Sequence, residues 1–87
     1  MTPALSASWQ ALSAAARGHS VHLRDMFAAD ARRFSRFSLV WNDWLLDYSK
    51  QRVTTDTMGL LHGLWQVADV PGWIARMRAG DPINHTE

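Results

Sequence analysis

Apolar residues recur at helical spacing at the start of the chain, where Leu5, Trp9, Leu12 and Ala16 fall along one face. Thr2 sets a capping hydroxyl ahead of Pro3, a residue suited to a first helical turn, and a helix is predicted over residues 3–17. Gly18 supplies the stop through a left-handed conformation, and Arg17 suits the negative end of the dipole. A shorter helix is expected over about residues 21–29, capped by Ser20, with Val21, Met26 and Phe27 turned inward. Residues 31–36 form a basic connector with room for one more helical turn. The pattern then changes. Between Phe37 and Ser49 aromatic and β-branched residues gather around Asn42-Asp43, a pair acceptable in a two-residue hairpin turn. Strands over 38–41 and 44–49 are the reading, although propensity alone leaves 44–50 open to helix.

Helical spacing returns after Thr54 or Thr55, either of which can cap, with Asp56 in the first turn where a carboxylate favours unpaired amides. This helix should reach about residue 68. Met58, Leu61, Trp65 and Ala68 make an apolar stripe that Leu60, Leu64 and Val67 widen, so burial on more than one side is expected. Gly59 and Gly63 each cost about 1 kcal/mol of helix stability relative to alanine and imply close approach by another element. A last helix begins near Pro71, carries Trp73, Ile74 and Met77, and stops at Gly80. Residues 81–87 read as an extended tail. The fold class is therefore mainly α, or α+β: four helices with one short hairpin.

Length changes this picture. A chain of 87 residues fits one domain and hides only about 60 to 65% of its unfolded surface. Yet 47% of it is hydrophobic and it holds five tryptophans, more apolar material than so small a core needs. The surplus predicts an exposed apolar patch and self-association as a homo-oligomer. The net charge of +1, from nine basic and eight acidic residues, gives no broad field for nucleic acid or an anionic membrane. Without cysteine there is no disulfide framework or thiolate metal site, and usage is compatible with cytosol. No stretch has the character of a signal peptide or a membrane span, so a soluble cytoplasmic protein is expected.

Four groupings could carry chemistry. His19 and His22 could share a helix face as half of a metal site, but no third ligand is evident, and solvent-facing histidines near a helix start are the better account. His62 reads as a boundary residue satisfied by a neighbour, and His85 stands alone. Asp43 and Asp47 fall on opposite sides of the proposed turn, which suits turn formation at Asp43 and an ion pair of Asp47 with Lys50 or Arg52. Arg32, Arg33 and Arg36 alternate with Phe34 and Phe37 in a mix used on single-stranded nucleic acid. Nearby Asp25, Asp30 and Asp43 oppose that use, and salt bridges to a further part of the protein are expected instead. Tyr48, Ser49 and Lys50 come at the end of a predicted strand, where adjacent residues point to opposite faces, so Ser49 and Lys50 cannot easily share a proton. There is no glycine-rich phosphate loop and no nucleophile elbow. No residue is assigned a catalytic, cofactor-binding or metal-binding role.

Three strings in order carry a resemblance. Phe37-Ser38-Leu39, followed by Leu45-Leu46-Asp47-Tyr48-Ser49-Lys50 and Arg52, resembles the N-terminal region of glucose-6-phosphate isomerases. His22-Leu23-Arg24-Asp25-Met26-Phe27-Ala28-Ala29-Asp30 resembles the short helix upstream of that region. Gly80-Asp81-Pro82-Ile83-Asn84-His85-Thr86-Glu87 resembles that family's G-x-x-I-N-x-T-E motif, with His85 at its variable position. The resemblance spans nearly all 87 residues, residues 1–18 being the least distinctive, and it favours the hairpin over a helix at 44–50.

The resemblance implies that residues 1–87 are one small helical N-terminal segment, incomplete relative to the family enzyme, belonging to a larger α/β isomerase. It implies a cytoplasmic homodimer of glycolysis and gluconeogenesis, interconverting glucose 6-phosphate and fructose 6-phosphate without metal or nucleotide cofactor. The family's glutamate base, its ring-opening lysine and histidine and its phosphate-holding serines and threonines lie beyond the matched region, so none is carried over here. The partner expected is the remainder of the parent enzyme. The rival reading is a stand-alone helical interaction module whose tryptophans form a binding face.

Overall fold

The computed structural model describes residues 2–84. Five helices and one hairpin follow in order: α1 (Pro3–Gly18), α2 (Leu23–Ala29), α3 (Arg33–Arg36), β1 (Ser38–Trp41), β2 (Trp44–Asp47), α4 (Thr55–Val67) and α5 (Val70–Arg78). The architecture is mainly α with a short hairpin, and the connector before the hairpin contributes the fifth helix as a single turn.

Most helix starts have an identifiable cap. The Thr2 hydroxyl accepts from the Leu5 amide at 3.1 Å, as its position before proline implies. Gly18 departs from expectation: it is the last helical residue, and the backbone leaves the helix at His19 with φ −85°. The cap of α2 is His22, whose Nδ1 accepts from the Arg24 amide at 3.0 Å, so the helix starts later than a Ser20 cap would place it. A ring nitrogen can do what a hydroxyl does at this position, and Val21 is left outside the helix and exposed. The Thr54 hydroxyl caps α4 through the Thr57 amide at 3.1 Å.

Asp69 joins α4 to α5. It is left-handed, with φ 57°, which ends α4, and its carboxylate caps α5 by accepting from the Gly72 amide at 3.2 Å. The start of α5 is thus fixed by an aspartate two residues ahead of Pro71. At the other end Gly80 is left-handed, with φ 84°. Gly80 donates to the Met77 carbonyl and Asp81 to that of Arg76, at 3.1 and 2.9 Å, which is the Schellman closure.

α1 packs on α4, and α4 turns back into α5. Met58, Leu60 and Leu64 are half-buried there, while Leu61, Trp65 and Val67 stay exposed, so no residue of α4 reaches the burial that its stripe implies. A Cβ placed on Gly59 or Gly63 meets nothing within 4 Å. Those glycines therefore mark no close approach within the described residues.

Buried residues are few among those described: Met26, Phe37, Arg33 and Ser49. The Cα radius of gyration is 16.5 Å, against about 12 Å for a compact chain of this length. The accessible surface is 7113 Å², against about 5,200 Å² for a compact monomer of this mass. All five tryptophans, Trp9, Trp41, Trp44, Trp65 and Trp73, are exposed. Leu39, Val40, Leu45, Leu46 and Met77 are exposed with them.

Candidate functional site

The densest polar arrangement centres on Arg33, which is only 3% exposed. Its guanidinium donates from Nε to the Ser49 carbonyl at 2.9 Å, from Nη1 to that of Val53 at 2.9 Å and from Nη2 to that of Gln51 at 2.6 Å. The Phe37 ring lies 4.7 Å and the Phe27 ring 5.5 Å from its central carbon. A buried cation costs several kcal/mol unless its donors are satisfied. Three carbonyls and two aromatic faces satisfy it here, without an ion pair among the described residues.

The loop that offers those carbonyls is shaped by its own side chains. Asp47 Oδ1 accepts from the Ser49 hydroxyl at 2.6 Å and from the Ser49 amide at 2.9 Å, a tight Asx turn. That turn ends β2 at Asp47 instead of Ser49. The two bonds from Ser49, hydroxyl first and amide second, hold the Asp47 carboxyl below its ordinary 3.8, with Lys50 adding only Coulombic attraction. The expected ion pair of Asp47 with Lys50 or Arg52 is replaced by this turn; Arg52 donates to the Val21 carbonyl at 3.1 Å. Tyr48 donates its amide to the Phe37 carbonyl at 3.0 Å and sets its ring edge-on to Phe37, centroids 5.9 Å apart.

Two of the three arginines expected to reach outward, Arg33 and Arg36, find side-chain partners within the chain, and Arg32 contributes its main-chain amide. Asp30 Oδ1 accepts from the Arg32 amide at 3.0 Å and Oδ2 from Arg36 Nε at 2.9 Å. These bonds, the Arg32 amide foremost, lower the Asp30 carboxyl from its usual value. Arg33 and Arg36 therefore tie α3 to its neighbours within the chain. The partner of Arg36 is local because the single turn of α3 brings it back to Asp30, whereas Arg33 reaches carbonyls 16 to 20 residues on.

A cleft of about 420 Å³ opens beside this cluster, lined by His19, Asp25, Asp30, Arg36, Thr54 and Thr55 among others. Its size suits a small ligand. Part of its polar wall is committed, Asp30 to Arg32 and Arg36, and Thr54 to the Thr57 amide. His19 is half-buried, its Nε2 without a hydrogen-bond partner among the described residues, and His22 caps α2, so the two do not share a solvent-facing helix surface. Among the described residues no three His, Cys, Asp or Glu side chains converge as metal ligands. His62 is exposed and stacks on Trp65, centroids 5.4 Å apart. Asp43 sits in the hairpin turn, and His85 lies outside the described residues.

The hairpin is the other feature of note. Ser38 pairs with Asp47, Leu39 with Leu46, Val40 with Leu45 and Trp41 with Trp44. Asn42 supports the turn with a left-handed φ of 52°. Cross-strand partners share a face, so Leu39, Leu46, Trp41 and Trp44 form one apolar face, with Val40 and Leu45 on the other. All six are 56 to 76% exposed.

No family model matches the chain. Individual proteins do. It is 52% identical over its whole length to a glucose-6-phosphate isomerase of Dechloromonas aromatica. Over 94% of its length it is 47% identical to another of Chlorobium luteolum, and over 77% it is 51% identical to glucose-6-phosphate isomerase 2 of Chromobacterium violaceum. The chain belongs to the glucose-6-phosphate isomerase family. It spans 12 to 17% of the length of these relatives. The isomerase-like string from Phe37 to Arg52 is the one that builds the Arg33 clip, through Phe37, Asp47, Tyr48, Ser49 and Gln51. In this chain those residues hold a loop. The role of Arg33 itself escapes a reading of side-chain types because its partners are main-chain carbonyls. The one available signal is an arginine with Phe27 six residues before and Phe37 four after.

Proposed function

We propose that this chain is the N-terminal structural segment of a glucose-6-phosphate isomerase. The parent enzyme interconverts glucose 6-phosphate and fructose 6-phosphate by acid–base proton transfer through an enediol, as a cytoplasmic homo-oligomer of glycolysis and gluconeogenesis. The single observation that carries this reading is 52% identity over the entire chain to a protein of which it spans 17%. The open form supports it: a piece with bare tryptophans and a radius well above the compact value is suited to scaffold work. No helix among the described residues is long and apolar enough to cross a membrane. Its contribution to catalysis is positional, since small displacements of reacting groups lower rates appreciably.

The test is a graft. The matching 88-residue segment of the Dechloromonas aromatica enzyme is replaced by this chain, and turnover is followed in a coupled assay. The chimera is expected to isomerise glucose 6-phosphate, and the 87-residue chain alone to show none. A folded but inactive chimera, or turnover by the chain alone, overturns the reading.

A further inference from the structure

We infer that the hairpin is an embedded ribbon, covered on both faces by the downstream body of the same polypeptide; this rests on the isomerase-segment reading above. Two strands alone are marginal in water and need packing on a further element. Here they have little of it among the described residues. Beyond each other, neither strand packs extensively on any other element of the described residues.

The chemistry of the cover follows from the two faces. Leu39, Leu46, Trp41 and Trp44 present a charge-free surface that a dry, apolar wall would match. On the opposite face Val40 and Leu45 are just as bare, next to the polar Ser38–Asp47 pair, so the second wall is apolar toward the turn and polar toward the strand ends. Both outer strand edges also keep unpaired main-chain groups, since the sheet holds two strands only.

Area and symmetry select the occupant. The chain exposes roughly 1,900 Å² more than a compact monomer of its mass. That excess is about twice the roughly 800 Å² one partner contributes to an interface of standard size. A second copy, meeting this one about a twofold axis, would seat the same patch on itself and cover one face of the ribbon. The other face would stay wet. A polypeptide about six times longer than this chain, as the Dechloromonas aromatica relative is, can enclose both.

The experiment is hydroxyl-radical footprinting of the chimera, read by mass spectrometry at Trp41 and Trp44 on one face and Leu45 on the other, with the 87-residue chain as reference. At least tenfold slower oxidation at all three positions is expected. Rates within twofold of the free chain at either face overturn the inference, as does protection that disappears when a chimeric dimer is diluted to monomer. A chimera that cannot fold also overturns it, since a ribbon that fits the body lets it assemble. Failure here is distinct from failure of the isomerase reading. An active chimera with fast-oxidising tryptophans removes only the embedded ribbon, and a folded, inactive one with protected tryptophans removes only the catalytic assignment.

Discussion

Arg33 and Val53, 20 residues apart in sequence, are joined by a 2.9 Å bond from guanidinium Nη1 to a main-chain carbonyl. Together with the bonds to Ser49 and Gln51 it ties the single-turn helix to the loop that leads into α4. Arg33→Lys keeps the charge but loses the fork that reaches three carbonyls. We expect a loss of about 3 kcal/mol, since hydrogen bonds to charged groups contribute about 1.5 to 3 kcal/mol and the stranded carbonyls add to the cost. Urea unfolding followed by circular dichroism measures it. A loss below about 1 kcal/mol would mean that the clip is dispensable.

The hairpin turn depends on the residue at 42. Asn42→Ala forces a Cβ-bearing, non-amide residue into the left-handed region and should cost about 1 kcal/mol, whereas Asn42→Gly should be neutral or better. Denaturation of the two variants side by side decides it, and equal stabilities would refute the role of backbone conformation there.

Glycine positions give opposite expectations. Gly72→Ala brings a Cβ against the Asp69 carboxyl carbon, 2.6 Å away, and must displace the side chain that caps α5. A loss of about 1 to 2 kcal/mol is expected from the cap. Gly59→Ala and Gly63→Ala meet open space and should each stabilise the free chain by about 0.4 to 1 kcal/mol. Thermal melts of the three variants separate these outcomes, and a stabilised Gly72→Ala chain would contradict the structure.

Acid should loosen the loops at both ends of the Arg33 cluster. Asp47 and Asp30 titrate below their ordinary value in the folded chain, held by Ser49 and by Arg32 and Arg36 respectively. A depressed folded value stabilises above the unfolded value, so the contribution is complete above roughly pH 5 and is lost as pH falls through 3.8 and below. Asp47→Asn should flatten the acid limb of a stability–pH profile. An unchanged limb in both Asp47→Asn and Asp30→Asn would show that neither carboxyl contributes.

What the sequence made legible follows from where its physics is local. The strands around Asn42-Asp43 and the cap at Thr54 were readable because turn and cap preferences act over three or four residues. His22 and Asp69 displaced the expected starts of α2 and α5 because a ring nitrogen and a left-handed aspartate serve as caps less often than serine or a proline start suggests. The Arg33 clip was hidden: any loop offers carbonyls, and nothing in residue type says which ones will face a guanidinium. The breadth of the α4 stripe was visible, yet its exposure was not, because spacing reports which residues are apolar and not whether a neighbour is present to cover them.

The two unpaired rims of the Leu39–Leu46 ribbon have a consequence at high concentration. Each rim can accept a strand from another molecule while leaving a new rim free, so association of the free segment has no natural stopping point. Growth of this kind is linear and yields filaments in preference to a counted assembly.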